Sequence, residues 1–132
     1  MTRINVGINP EELCDKHLNA EYRELPRLWN FVPKGKAPPE FKLGTGHVLW
    51  CVQYKGMLAD RYKAIVAEKV HRNAKTISYP NCPDGVEDGA RPSERQLAKA
   101  RKEVQVRINE RLKTMKNPKW TNRSVPDWVD VV

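Results

Sequence analysis

Long apolar runs are missing from this sequence. No stretch approaches the roughly 18 apolar residues that a membrane helix needs, so no membrane partner is expected. The opening MTRINVGINP has no apolar segment of the kind a signal peptide carries. Cysteine is scarce: Cys14, Cys51 and Cys82 are far apart, odd in number and form no C-x-x-C pair. That argues against a disulfide framework or a zinc site and makes the reducing cytoplasm the simplest compartment. His17, His47 and His71 lack ligand spacing, so neither a metal nor a cofactor is expected. Internal repeats are absent, and acids are outnumbered: 16 Asp and Glu face 24 Lys and Arg, for a net charge of +8. Such an excess favours a polyanionic partner, because Lys and Arg displace counterions from a phosphate backbone, although a solvated basic surface meets the same count.

What is present points to helices. At 132 residues, 39% of them hydrophobic, the chain suits a single domain over 1–132 with a modest core, and ten prolines imply long irregular segments. The expected class is all-α, with about three helices joined by loops. Asn9-Pro10-Glu11-Glu12 reads as a helix start, with Asn9 as cap, Pro10 at the first position and Glu12 completing a capping box. That first helix should run from Pro10 through Arg23 and kink at Pro26, whose nitrogen cannot donate. PKGKAPPEFKLGTG, from Pro33, is a loop, and periodicity does not assign VLWCV at 48–52. Leu58, Tyr62, Ile65, Val66 and Lys69 recur at helical spacing and predict a second helix over Met57–Arg72. YPNCPDGVEDGARP at 79–92 is a second long loop. Ser93 and Gln96 then make a capping box. Leu97, Ala100, Val104, Ile108, Leu112 and Met115 draw one stripe to Lys116. Arg95, Lys99, Lys102 and Lys113 read as its solvated face, and the tail beyond Pro118 holds Trp120 and Trp128 without a period.

The stretch HLNAEYRELPR at 17–27 is unusual for the first helix. At about 100° per residue, Leu13, Cys14, Leu18, Ala20, Leu25 and Leu28 share one side, and His17, Glu21 and Glu24 fall inside the same arc. Asp15, Lys16, Asn19, Tyr22, Arg23 and Arg27 take the other. A carboxylate on a packed face must find a partner or shift its pKa. Two readings fit: an internal ion pair such as His17 with Glu21, or a cleft in which Glu24 is a positioned acid or base and Arg23 and Arg27 grip an anion.

These residues carry a resemblance. TRIN at 2–5 followed by HLNAEYRELPR resembles the N-terminal signature of the pyrimidine-dimer DNA glycosylases with lyase activity, the endonuclease V of T-even bacteriophages and its relatives. GTGHV at 44–48 and, more weakly, VRINERL at 106–112 with Pro118-Lys119-Trp120 match in the same order. The resemblance implies a mostly helical, single-domain fold that acts on damaged or abasic double-stranded DNA, in the host cytoplasm if the chain is phage-encoded, and nothing in the sequence suggests more than a monomer. It also implies that Met1 is removed and that the amine of Thr2 is the nucleophile. Glu24 carries over as the catalytic carboxylate. Arg3, His17, Arg23 and Arg27 carry over as active-site support and phosphate contacts, and Arg107 and Arg111 as a grip on the backbone. His47 reads as structural, ordering its loop.

The sequence departs from the family pattern in three places. One extra residue separates Asn5 from the first helix, the loop after Arg27 is shorter and less basic, and the tyrosine- and lysine-rich C-terminus is replaced by WTNRSVPDWVDVV. These leave the lesion open among a pyrimidine dimer, an oxidised pyrimidine and a bare abasic site. They also leave open a DNA-binding relative without catalysis and, more plainly, a small basic protein with no nucleic-acid role.

Overall fold

The computed structural model of the chain describes residues 4–31, 36–43, 47–72 and 85–130. Within them lie four α-helices: α1 (Asp15–Glu24), α2 (His47–Val52), α3 (Lys55–His71) and α4 (Glu94–Leu112). Two 3-10 turns, Pro10–Glu12 and Leu25–Leu28, flank α1, and the described residues contain no strand. The fold is all-α. No described helix is long and apolar enough to cross a membrane.

The N-terminal helix is shorter than expected, and the tail explains why. Pro10–Glu12 closes a single 3-10 turn, with the Glu12 carboxylate accepting the Asn9 N–H at 3.0 Å, and Leu13 and Cys14 are then extended. At this break the tail supplies the hydrogen bonds that a continuous helix would have made for itself. The Trp120 indole donates to the Glu12 carbonyl at 2.9 Å, and the Asp15 N–H donates to the Lys119 carbonyl at 2.7 Å. Leu13 and Cys14 are released to plug the core. At the other end, Pro26 passes from the α-helix into the second 3-10 turn rather than a kinked continuation.

The unassigned apolar run forms α2. Trp50, Cys51 and Val52 are buried, and Phe41 packs edge-on against Trp50 with ring centroids 5.3 Å apart. His47 is buried beside Phe41, in keeping with a structural role. α3 starts two residues earlier than its apolar spacing suggests, because Gly56 docks against the 85–91 segment and donates its N–H to the Ala90 carbonyl at 3.1 Å. α4 opens on the expected box, Gln96 N–H to Ser93 Oγ at 3.2 Å, but ends at Leu112; Met115 follows in a turn beside Cys14. Ala100, Val104, Ile108 and Leu112 are buried as expected. Arg95, Lys99, Lys102 and Lys113 are exposed.

One cluster of buried side chains runs from Ile4 to Val129. The tail seals it. Glu68, near the end of α3, receives Arg72 at 2.8 Å and Arg123 at 2.8 and 3.0 Å, and Arg72 reaches on to Asp15 at 2.9 Å. Glu12 receives Arg101 at 2.6 Å and the Trp128 indole at 2.7 Å. Both tryptophans of the tail are therefore anchors. Cys14 and Cys51 are free and buried, and burial pushes the Cys51 thiol up to about 12.

Candidate active site

The site is built on α1, whose buried side is aimed at the start of the chain. Glu21 is 1% exposed, and a carboxylate so buried needs compensation. Arg61 of α3 supplies it in a forked pair, Nε to Oε2 at 2.6 Å and Nη2 to Oε1 at 2.9 Å. The third nitrogen, Nη1, donates to the Ile8 carbonyl at 2.6 Å. Glu21 Oε1 also accepts the Asn5 backbone N–H at 3.2 Å and its side-chain amide at 2.9 Å. From the opposite side Arg107 of α4 donates to the Ile4 carbonyl at 3.3 Å and to Asn5 Oδ1 at 3.1 Å. The chain is thus pinned at Ile4–Asn5 by α1 and α4, and Arg61 of α3 braces the Glu21 carboxylate that holds it.

The first of the two readings of the charged face has a counterpart here. An internal ion pair does exist, but Glu21 is held by Arg61 and Asn5 rather than by His17. Arg61 escaped the sequence reading; its signal was an arginine between Leu58 and Ile65 on an apolar stripe, matching a glutamate on the stripe of another helix. Two positions on the wheel also move. Tyr22 is buried because α3 packs on its flank, and its ring lies parallel to that of Tyr62, with centroids 5.9 Å apart. Ala20 is exposed.

Glu24 lies one turn beyond Glu21, half-buried, with half-buried His17 two turns before it on the same side. Arg23 is exposed and bends back to donate to the Asn19 carbonyl at 3.4 Å. Arg27 is exposed on the second 3-10 turn. The Lys55 ammonium caps that turn by donating to the carbonyls of Leu28 and Trp29. Arg111, one turn after Arg107, is half-buried. Thr2 and Arg3 lie outside the described residues. Carboxylate, histidine and arginines therefore share α1 and its 3-10 extension, and Asn5 is held at Glu21, one turn before Glu24.

The sequence profile of the pyrimidine dimer DNA glycosylases matches residues 1–79. The chain belongs to the pyrimidine dimer DNA glycosylase family. The matched span contains Asn5, all of α1, and the Arg61 that completes the buried pair. α4 and the tail lie beyond it. Across that boundary Arg107 is committed through Nη2 to Ile4 and Asn5, which adds a role in holding the N-terminal segment to the DNA grip expected of it. The glycosylase family name implies DNA as the substrate and DNA repair as the setting.

Proposed function

We propose that the chain is a DNA repair glycosylase with abasic-site lyase activity, using the amine of Thr2 after removal of Met1. The amine attacks the anomeric carbon of a damaged pyrimidine nucleotide, the C–N bond to the base breaks, and the base leaves as the ring opens to an imine. A proton lost from the neighbouring sugar carbon then drives elimination of the 3′ phosphate, and water hydrolyses the imine to regenerate the amine. An α-amine has an ordinary pKa of about 7.7–8.0, so a useful fraction is neutral at pH 7. Arg3, Arg23 and Arg27 nearby would favour that neutral form. Glu24 stabilises the cationic sugar and moves the protons. His17 supports it, and Arg23, Arg27 and Arg111 hold phosphates.

The observation that carries this reading is the double attachment of Asn5 to Glu21, one turn of α1 before Glu24. A residue three positions upstream of Asn5 is on a tether of about 10 Å, short enough for its amine to work beside Glu24. The test is borohydride trapping on a duplex with one abasic site, using protein whose N-terminal residue is verified by mass spectrometry. A covalent adduct mapped to Thr2 is expected, as is loss of strand cleavage with retained duplex binding in Glu24→Gln. No adduct from Met1-free protein that binds the duplex would leave a DNA-binding relative without this chemistry.

A further inference from the structure

Several buried and half-buried cations of the described residues already have partners that account for them. Arg61, Arg72, Arg101 and Arg123 each face a carboxylate at 2.6–2.8 Å. These pairs hold the molecule together and leave little charge to offer. Lys55 is capped by two backbone carbonyls at the end of a helical turn. Lys69 is different. It is 5% exposed, yet its ammonium meets only neutral groups: the side-chain oxygen of Asn19, and the face of the Tyr22 ring with the nitrogen 4.5 Å from the centroid. Arg23 converges on the same residue, through the Asn19 carbonyl at 3.4 Å. Neither cation pairs with a described carboxylate.

Two like charges gathered on one asparagine are unfavourable in the free protein, and an ammonium with little water around it makes the repulsion stronger. Burial first, and then the positive charge of Arg23, hold the Lys69 ammonium below its usual pKa of 10.5. An anion placed between them removes both penalties. The position suits one, because Asn19 and Tyr22 of α1 meet Lys69 of α3, exposed Arg23 lies one turn after Asn19, and exposed Arg27 one turn along from Arg23.

We propose that Lys69 and Arg23, converging on Asn19 at the seam of α1 and α3, form a subsite for a backbone phosphate beside the nucleotide being processed. The proposal rests on the DNA-processing reading above for its choice of anion. The guanidinium supplies a planar fork for two oxygens and the ammonium a point charge behind it, a combination suited to a phosphodiester. Asn19 and the Tyr22 ring keep the ammonium in place between binding events.

The experiment measures duplex binding across a range of salt, by anisotropy, with a duplex carrying one reduced abasic site. The full chain is compared with Lys69→Met, Lys69→Arg and Arg23→Met. Lys69→Met should bind about tenfold more weakly and flatten the log–log salt slope by about one. Lys69→Arg should restore both, and the two methionine substitutions together should cost less than the sum of each alone. Identical salt slopes in the wild type and both methionine variants would overturn the subsite, as would a Lys69→Arg chain no better than Lys69→Met. If Lys69→Met fails to fold, duplexes with single neutral methylphosphonates are scanned instead. One position should weaken the wild type about tenfold and leave Arg23→Met unaffected, and a flat scan overturns the proposal. A wild-type chain that does not bind duplex DNA at all overturns the DNA reading itself. Binding without a trapped adduct overturns the lyase chemistry and leaves the subsite standing.

Discussion

Glu21 and Glu24 sit one helical turn apart on α1 and have different surroundings. Glu21 is sealed against Arg61 and Asn5, whereas Glu24, one turn on, remains half-exposed. Substituting the first is therefore a stability experiment and substituting the second a chemical one. Arg61→Met strands the buried carboxylate, and a urea titration should show a loss of about 3–5 kcal/mol. A loss below about 1 kcal/mol would mean that the pair does not secure the N-terminal segment. Glu24→Gln keeps the side chain's size and leaves the Glu21–Arg61 pair intact, so it should cost clearly less stability than Arg61→Met in the same titration. The charged face was legible at this scale from its helical spacing alone, which showed that ionisable groups interrupt a packed side. Which cation answers Glu21 was not legible, because the pairing joins positions 21 and 61 on different helices and no local rule links them.

The elements differ in how far their ends follow local rules. α4 was readable at its start because Ser93 and Gln96 cap each other within one turn and the stripe keeps its period. The start of α1 was not, since Lys119 and Trp120 satisfy the backbone at that break from more than 100 positions away. α2 was unreadable because six residues are too few to show a period. The junction of α3 with the 85–91 segment depends on two glycines. A Cβ on Gly56 would lie 2.2 Å from the Gly89 carbonyl oxygen, a backbone atom with little freedom to move. Gly56→Ala should cost about 1–3 kcal/mol despite alanine's better helix propensity, read as a lower thermal midpoint. A stabilised variant would show that the contact yields easily.

At the scale of the whole molecule, the tail and the first turn close the fold through carboxylates. Burial alone would raise the pKa of Glu12, Asp15 and Glu68. Their hydrogen bonds outweigh it: from Arg101 and Trp128 to Glu12, from Thr121 and Arg72 to Asp15, and from Arg123 and Arg72 to Glu68. All three are held below their usual 4.5, 3.8 and 4.5. Groups with lowered folded pKa values contribute stability above the unfolded values and lose it as pH falls through the folded ones. The thermal midpoint should be level above about pH 5 and fall below about pH 4, with Arg123→Ala flattening that fall. A midpoint insensitive to acid would show that these pairs contribute nothing. The pin at Ile4–Asn5 has a further consequence, for variation in chain length. Just after it, Ile8 donates to the Asn5 carbonyl across a turn in which Gly7 takes φ of +81°. The turn and the break at Leu13–Cys14 both lie downstream of the pin. An insertion there is absorbed without re-indexing Ile4 and Asn5 against α1. One placed upstream of Asn5 has no such slack and shifts the chain's first amine by a full residue length, so insertions among relatives should accumulate on one side of Asn5 only.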